Sequence, residues 1–317
     1  MILKDIADKL KACKSILIFC HTRPDGDTLG SAYALKKAFE NSGKIAEVIC
    51  DSPIPEKFSF LGFKDEIASV KTLDDPFDAF VAVDCSTEGM IGDNYALFSK
   101  KTETFNIDHH VSNTRYAKYN YVEDRAASCE IIYELLLYLG GEISKYVADC
   151  LLLGISTDTG HFMHSNATAK TFAIASKLIE AGADAHEIGV KMFKSQSISR
   201  ALLQADIMSK MKFYEEGKIA LIAVMKSDIE KHGATSDETE GFIDYPLSVD
   251  GVEVAVSILE NKQNCYKISL RSKGRVNVNE IAATFGGGGH VLASGCMIFG
   301  FFEDVKDKIL RAISISL

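Results

Sequence analysis

Short apolar runs that alternate with helical patterns dominate the first half of this 317-residue sequence. Four of the runs have the length and composition of buried strands, at residues 15–20, 45–50, 79–83 and 103–107. After the first run, apolar residues such as Leu29, Ala32 and Leu35 recur at helical spacing. Strands separated by helices favour a mostly parallel sheet, because parallel neighbours need long crossover connections. We therefore predict an α/β fold whose N-terminal part is a mostly parallel sheet flanked by helices.

The second half of the sequence predicts a smaller α/β domain. Strand-like runs lie at 218–224, 252–259 and 265–271, followed by a short helix at 277–285, a run of four glycines and an amphipathic helix at 303–314. A largely helical stretch, 168–211, connects the two halves and contains the polar segment 194–200. We place the boundary there and predict an N-terminal domain at residues 1–194 and a C-terminal domain at residues 195–317.

Composition excludes several classes of function. A net charge of −9 argues against a general binder of long duplex nucleic acid, which needs many Lys and Arg side chains. No apolar run approaches the roughly 20 residues that span a bilayer, and the N-terminus lacks the apolar segment of a signal peptide. The eight cysteines occur singly, without a CxxC pair. That usage favours a reducing compartment, so we predict a cytoplasmic protein without a membrane partner.

The loop after the first strand carries an imidazole and two carboxylates. His21, Asp25 and Asp27 lie within seven residues of one another, and Pro24 stiffens the chain between them. One nitrogen and two oxygens suit a divalent cation such as manganese. Alternatively, Asp27 is a helix N-cap and Asp25 a partner of the helix dipole. The loop alone leaves both interpretations open.

Other segments end in the same kinds of residue. Asp84 follows the third strand, Asp108-His109-His110 follow the fourth, and Asp158 lies in a turn after a helix. The carboxyl ends of parallel strands meet at one edge of a sheet, so these side chains would concentrate negative charge there. Cations would remove that Coulomb cost. Carboxylates and imidazoles so spaced can hold two ions about 4 Å apart, which suits in-line attack on phosphorus.

Taken together, these residues resemble the metal motifs of the DHH phosphoesterase family. The matching set is His21-x-x-x-Asp25-x-Asp27, Asp84, Asp108-His109-His110 and Asp158. The run Gly286–Gly289 with His290 and Ala293-Ser294-Gly295 resembles the signature of the DHH-associated C-terminal domain, and 239–242 and 269–272 resemble further motifs of it. The likeness covers nearly the whole chain in the right order. It is greatest to the stand-alone nano-RNase and pAp phosphatase subgroup.

The resemblance implies two divalent cations, usually Mn²⁺. His21 and Asp25 would hold one ion, Asp27, His109 and Asp158 the other, and Asp84 would bridge both and so take part in catalysis. Asp108 would accept a hydrogen bond from a ligating histidine and fix its tautomer. His110 would face the scissile phosphate as a catalytic residue, either protonating the leaving oxygen or stabilising developing charge.

The resemblance also assigns substrate binding to the C-terminal domain. Arg271 would grip a phosphate, His290 would contact the same phosphate or the base, and backbone N–H groups of Gly287, Gly288 and Gly289 would close on the phosphate as a nest. Without the resemblance, a glycine run is more often a flexible connection. The implied substrates are short oligonucleotides or small nucleotides, and a homodimer is a family-level expectation.

Several activities fit this family. The leading interpretation is a Mn²⁺-dependent phosphodiesterase or exonuclease that hydrolyses short oligonucleotides to mononucleotides and adenosine 3′,5′-bisphosphate (pAp) to AMP. The alternative is a phosphodiesterase for cyclic di-AMP or its linear product pApA. The glycine–histidine signature argues against an inorganic pyrophosphatase, and the complete ligand set argues against a nucleotide sensor with a decayed centre.

Some residues near these motifs stay open from sequence alone. His161 and His164 flank the Asp158 turn, but loop histidines are more often structural or solvated. Arg23, Arg115 and Arg125 either steer phosphate or are simply solvated. Phe242 and Tyr245 either stack on a base or pack in the core.

Overall fold

The computed structural model describes residues 1–63 and 77–317. These residues form two compact units, Met1–Ser195 and Gln196–Leu317. The division falls inside the polar segment 194–200, from which we placed the domain boundary. Nowhere in the described ranges is a helix both long enough and apolar enough to cross a membrane.

The first unit is built on a five-stranded parallel sheet. Its strands are β1 (Ser15–Phe19), β2 (Ile45–Ile49), β3 (Ala79–Val83), β4 (Thr104–Asp108) and β5 (Tyr119–Val122), in the order β2-β1-β3-β4-β5. All neighbouring strands pair in parallel. The predicted mostly parallel sheet is therefore confirmed. Strand β5 was missed, because its half-buried Tyr-Asn-Tyr-Val sequence has no continuous apolar run.

Helices cover both faces of this sheet. They are α1 (Leu3–Ala12), α2 (Gly26–Asn41), α3 (Tyr95–Phe98), α4 (Ser128–Leu139), α5 (Lys145–Asp158), α6 (Ala169–Glu180) and α7 (Ala185–Gly189). In β1, Ile16 and Ile18 pack into the core formed with α1, α2, α4 and α5, whereas Leu17 and Phe19 pack on the other face with Phe98 of α3. Burial on both faces explains why the strand is apolar at every position.

Glycines let α2 and α5 pack very closely. A Cβ atom at Gly30 of α2 would overlap the Cys150 carbonyl of α5, and one at Gly154 of α5 would overlap the Cys129 thiol and crowd Asp27. Gly26 is the first residue of α2 and packs against Thr157. This close approach brings the N-terminal end of α2 next to the C-terminal end of α5.

The second unit is a smaller α/β domain, as predicted. Its six strands are β6 (Lys212–Tyr214), β7 (Ile219–Val224), β8 (Val254–Lys262), β9 (Cys265–Ser272), β10 (Gly288–His290) and β11 (Ala293–Phe299), in the order β10-β11-β9-β8-β7-β6. Only β7 and β8 pair in parallel among these described strands. The helices are α8 (Ile198–Ser209), α9 (Lys226–His232), α10 (Asp244–Ser248), α11 (Val278–Thr284) and α12 (Phe302–Ser316).

The two faces of this mixed sheet are covered differently. Residues of α11 and α12 join the core on one face, with Leu270 of β9 and Ile298 of β11. On the other face, Leu203 of α8 and Ile229 of α9 pack against Ile222 of β7. Arg271, Ser269 and Lys267 alternate with the core residues of β9, so they lie on this second face.

Asp206 ties α8 to α9, which predicts a pH-dependent stability. Its carboxylate accepts from His232 Nε2 at 2.9 Å, Lys231 Nζ at 2.8 Å and Lys210 Nζ at 3.1 Å, and these partners hold the Asp206 pKa well below its usual range. Because the pKa of Asp206 is lower in the folded state, its ionised carboxylate stabilises the fold at pH values above the unfolded-state pKa of about 3.9. This stability is lost at lower pH. We expect Asp206→Asn to lower the melting temperature at pH 7, and we expect its difference from wild type to narrow progressively as the pH falls below about 4. Thermal scans from pH 3 to 8 would show this, with Asp307→Asn, an exposed carboxylate of α12, as control.

Candidate metal centre

Three histidines and five carboxylates converge at one edge of the first sheet. They come from the segments after β1 and β3, the last residue of β4 with the residues that follow it, the N-terminal end of α2, and the last residue of α5. The residues are His21, Asp25, Asp27, Asp84, Asp108, His109, His110 and Asp158. The structure thus brings together every residue that the sequence predicts for a metal centre.

One group of ligand atoms is formed by His21, Asp25 and Asp84. His21 Nε2 lies 3.5 Å from Asp25 Oδ1 and 3.5 Å from Asp84 Oδ2. The His21 Nδ1 atom donates to the Thr22 carbonyl at 2.8 Å, so Nε2 is the nitrogen presented to the carboxylates. Although burial opposes protonation, hydrogen bonds with Asp25 and Asp84 raise the pKa of His21 to about 11. The two carboxylates therefore stabilise a positive charge at this position.

The second group is formed around His109. Its Nε2 lies 3.4 Å from Asp84 Oδ1, 3.4 Å from Asp158 Oδ2 and 3.9 Å from Asp27 Oδ2. Its Nδ1 donates to the Arg125 carbonyl at 3.1 Å, which again directs Nε2 to the carboxylates. Ligand atoms lie within 4.8 Å of one another in each of three sets, which are His21, Asp25 and Asp84; Asp27, His109 and Asp158; and Asp84, His109 and His110.

Asp84 stands between the two groups. Its Oδ2 faces His21, and its Oδ1 faces His109. Asp84 adopts a left-handed backbone conformation (φ 57°), which only a few non-glycine residue types tolerate well, and Asp is one of them. Its N–H donates to the Ile107 carbonyl of β4 at 2.9 Å. A non-glycine residue anchored in this uncommon conformation indicates a functional constraint on where its carboxylate lies.

The donor set and its charges fit divalent cations. Metal–ligand bonds of about 2.1 Å place neighbouring ligands about 3 to 3.5 Å apart, close to the separations seen here. Burial and, to a smaller extent, the negative charge of Asp84 raise the pKa of Asp27 to about 7. Burial and the charges of Asp27 and Asp84 also raise the pKa of Asp158 well above its usual value. Cations would relieve this repulsion among buried carboxylates. The geometry thus shows a candidate metal site.

The hydrogen bond of Asp108 differs from the expectation. Asp108 Oδ1 accepts from His110 Nδ1 at 2.8 Å, whereas we expected it to accept from a ligating histidine. His109 Nδ1 donates to the Arg125 carbonyl instead. Asn113 donates to the other Asp108 oxygen at 2.6 Å. Asp108 therefore orients His110, the predicted catalytic residue.

Contacts and exposure distinguish some of the alternatives considered for neighbouring residues. Asp25, not Asp27, is the N-cap of α2, because its Oδ1 accepts from the amides of Asp27 and Thr28. The Arg125 side chain is buried in ion pairs with Glu123 and Glu134, so it is a structural arginine. His161 Nδ1 is bonded to Ser156 Oγ at 2.9 Å. Arg23 and Arg115 are exposed.

Backbone amides at the start of α4 hold Asp27, and sequence analysis did not find them. Ser128 N–H donates to Asp27 Oδ2 at 2.6 Å, and Cys129 N–H donates to Asp27 Oδ1 at 2.8 Å. Ser128 Oγ also donates to Asp84 Oδ1 at 3.0 Å. The only local sequence signal for these contacts was Ala127 at the N-cap position of α4. An alanine side chain cannot accept hydrogen bonds from the first amides of the helix.

In the second unit, Arg271 and His290 share one face of the sheet. Ala293 of β11 pairs with Arg271 of β9 on one side and with His290 of β10 on the other. Directly paired residues point to the same face, so the two side chains flank a small alanine about 10 Å apart at their backbones. The next row on this face is Ser269, Gly295 and Gly288. Among the described residues, the structure records no carboxylate paired with Arg271.

The glycine run does not form the expected phosphate nest. The N–H groups of Gly286 and Gly287 donate to the carbonyls of Ala283 and Ala282 and end α11. Gly288 and Gly289 belong to β10, which pairs with β11 as a hairpin. A Cβ atom at Gly287 or Gly289 would overlap β11 backbone, so close strand packing explains these glycines. The run is neither a nest nor a flexible connection.

Phe242 and Tyr245 differ in exposure. Phe242 is 1% exposed and packs in the core, so it is not available for base stacking. The Arg200 guanidinium lies 5.0 Å from the Phe242 ring centroid and donates to the carbonyls of Glu238 and Glu240. Arg200 thereby holds the 239–242 turn. Tyr245 is 54% exposed.

Comparison with known proteins identifies both halves of the chain. The DHH family, N-terminal domain, matches residues 15–155, and the DHHA1 domain matches residues 217–315. A probable bifunctional oligoribonuclease and PAP phosphatase NrnA from Streptococcus mutans is 31% identical over 95% of this chain and 95% of its own. The bifunctional oligoribonuclease and PAP phosphatase NrnA from Thermus thermophilus is 29% identical over 97% of this chain and 92% of its own.

Solved structures share the fold. An exopolyphosphatase-related protein from Bacteroides fragilis superposes with a TM-score of 0.91 at 27% identity, covering 98% of this chain and 95% of that one. RecJ from Thermus thermophilus, solved in complex with Mn²⁺, superposes with a TM-score of 0.57 at 15% identity, covering 98% of this chain and 55% of that one.

Proposed function

Because this chain belongs to the DHH family and carries a DHHA1 domain, we propose that it is a metal-dependent phosphoesterase that hydrolyses short oligonucleotides to mononucleotides and pAp to AMP. The observation that carries the proposal is Asp84, whose two oxygens face two separate sets of ligand atoms. Relatives that match nearly the whole chain are named for both activities. In this proposal, residues 1–194 form the catalytic domain and residues 195–317 bind substrate.

Two divalent cations, Mn²⁺ in our proposal, fit the ligand sets. His21, Asp25 and Asp84 Oδ2 would hold one ion, and Asp27, His109, Asp158 and Asp84 Oδ1 would hold the other. When bound, such a pair supplies Lewis-acid stabilisation of a phosphoryl group and activates water for in-line attack. We propose direct hydrolysis by water, without a covalent intermediate on the protein.

In this proposal, His110 acts as the general acid. Burial disfavours its charged form, but the hydrogen bond with Asp108 and the charge of Asp84 raise the pKa of His110 to about 9. These contacts therefore favour the protonated ring when no cation is bound. With Nδ1 bound to Asp108 Oδ1, Nε2 holds the proton that a leaving oxygen would receive.

The shared face of Arg271 and His290 supports their role in substrate binding. A guanidinium forms paired hydrogen bonds with a phosphate, and Ala293 between the two side chains leaves room for one. Because Gly288 lies in the next row and is exposed, it leaves the sheet face open beside this phosphate. Gly287 and Gly289 would contribute by keeping the β10–β11 hairpin in place.

Arg271→Ala tests this assignment. We expect KM for a 5′-phosphorylated dinucleotide to rise about 10- to 100-fold, because a charge-assisted bidentate contact of about 1.5–3 kcal/mol is lost. The change in kcat should be smaller. Steady-state kinetics with Arg275→Ala, an exposed arginine nearby in sequence, is the matched comparison. An unchanged KM would remove Arg271 from the substrate site.

A substrate panel tests the activity itself. Purified metal-loaded protein would be assayed under one set of conditions with a dinucleotide, longer oligonucleotides, pAp, cyclic di-AMP and pApA. We expect turnover of dinucleotide and pAp to exceed that of cyclic di-AMP and of long oligonucleotides. Preferential turnover of cyclic di-AMP would favour the alternative activity, and no turnover of any phosphate ester would overturn the proposal.

We also propose a cytoplasmic location. The eight cysteines, all within the described ranges, form no disulfide, as is usual in a reducing compartment. The homodimer stays a prediction, which light scattering of the purified chain would check.

A further inference from the structure

We propose that Ser128 is a positioning residue that orients Asp27 and Asp84 specifically for the His109-centred ion. This inference rests on the proposed metal-dependent function and adds a residue that the metal motifs do not contain. Ser128 is fully buried at the first position of α4. It touches two of the carboxylates without belonging to either group of ligand atoms.

The contacts of Ser128 are selective for one side of the centre. Its N–H donates to Asp27 Oδ2, the oxygen 3.9 Å from His109 Nε2. Its hydroxyl donates to Asp84 Oδ1, the oxygen 3.4 Å from His109 Nε2. The other Asp84 oxygen, which faces His21, is not the one that Ser128 contacts. Both oxygens that Ser128 holds therefore point to the His109 group.

The helix makes this arrangement rigid. Ala127 cannot cap α4, so the Asp27 carboxylate accepts from the first two amides of α4 in its place. Gly154 leaves just enough room for Asp27 and Cys129 against α5. Asp27 and α4 are thus fixed to each other by packing as well as by hydrogen bonds. The Ser128 hydroxyl extends the same anchor to Asp84.

Hydrogen bonds to a ligating carboxylate orient it and tune its affinity for metal. Removing such a partner typically costs 10- to 100-fold in metal affinity. Ser128→Ala removes the hydroxyl and keeps the N–H, so only the Asp84 contact is lost. We expect the dissociation constant of the His109-centred ion to rise about tenfold and that of the His21-centred ion to change less than twofold.

The test is a titration of metal-free, full-length protein with Mn²⁺ alone, followed by electron paramagnetic resonance of free Mn²⁺. Asp25→Asn weakens the His21 group, and Asp158→Asn weakens the His109 group, so each provides a background that isolates the other ion. Ser128→Ala should reduce Mn²⁺ affinity about tenfold in the Asp25→Asn background and change it less than twofold in the Asp158→Asn background. Ser128→Thr, which keeps the hydroxyl, should restore affinity.

Ser31→Ala is the matched control, because Ser31 is equally buried and its hydroxyl contacts the Cys129 thiol rather than a carboxylate. Thermal unfolding of the metal-free variants shows whether each one folds. If Ser128→Ala does not fold, Ser128→Cys can be used instead, because its thiol fills the same space but is a poor hydrogen-bond donor. It should show the same selective loss of Mn²⁺ affinity.

Two outcomes would overturn the inference. Equal losses in both backgrounds would make Ser128 a general packing residue, and unchanged affinity in both would remove its role. The proposed activity is tested separately, since this titration contains no substrate. A wild-type chain that binds two ions but hydrolyses no phosphate ester would overturn the proposed activity and leave the role of Ser128 standing.

Discussion

Asp84→Asn should reduce hydrolysis of both dinucleotide and pAp by at least about 10³-fold, equivalent to about 4 kcal/mol of transition-state stabilisation. Each Asp84 oxygen faces a different group of ligand atoms. Asparagine offers one oxygen and an NH₂ donor, so it cannot serve both groups. Like aspartate, asparagine tolerates the left-handed backbone at this position, so the main chain should be preserved. The measurement is kcat/KM with saturating Mn²⁺.

The same substitution should not destabilise the metal-free protein. The Asp84 charge helps to raise the pKa of Asp27 to about 7, which means that the ionised carboxylates repel one another when no cation is bound. We therefore expect metal-free Asp84→Asn to melt at or above the wild-type temperature. Asp78→Asn, which removes a carboxylate just before β3 at the opposite end of that strand, should keep full activity. Recovery of Asp84→Asn activity at high Mn²⁺ would contradict the bridging role.

His110→Ala should lower kcat by about 10²- to 10⁴-fold, the usual contribution of a general acid. Because His110 Nδ1 is bonded to Asp108 Oδ1, we expect the variant to bind as many ions as the wild type. Single-turnover rates and Mn²⁺ stoichiometry, measured on the same preparation, would test both statements. His186→Ala, at an exposed histidine of α7, is the control.

A different result for His110→Ala would assign another role. His110 Nδ1 also lies 3.7 Å from Asp84 Oδ1, within a possible ligand group. Loss of one bound ion would therefore make His110 a ligand. A loss of activity that leaves both the ion count and KM unchanged would support the general acid.

The sheet was predictable because its signals are local. Strands β1 and β3 are buried on both faces, so each is a continuous apolar run that can be recognised without a partner. Asp84 directly follows β3, and His109 directly follows β4, so the parallel pairing of these two strands brings both residues to one edge. Strand β5 lacked this signal, because Tyr119–Val122 is only half-buried at the sheet edge.

The glycine run shows where a local pattern was not enough. Four consecutive glycines are compatible with a nest, a linker or a tight hairpin, because glycine adopts all of the required backbone angles. The pairing of Gly289 with Ser294 and the close approach of β11 select the hairpin. Likewise, burial rather than sequence places Phe242 in the core and leaves Tyr245 exposed.

By itself, the sequence determined which side chains gather at the sheet edge, since strand ends carry their own Asp and His residues. Only the tertiary structure decided what holds those side chains: the Ser128 and Cys129 amides on Asp27, the Arg125 carbonyl on His109, and Asp108 on His110 rather than on a ligand. The physical reason is that nearly every residue carries the same backbone N–H and C=O groups. Which of them meets a given carboxylate or imidazole depends on how α2, α4 and α5 pack, and no local sequence pattern records that packing.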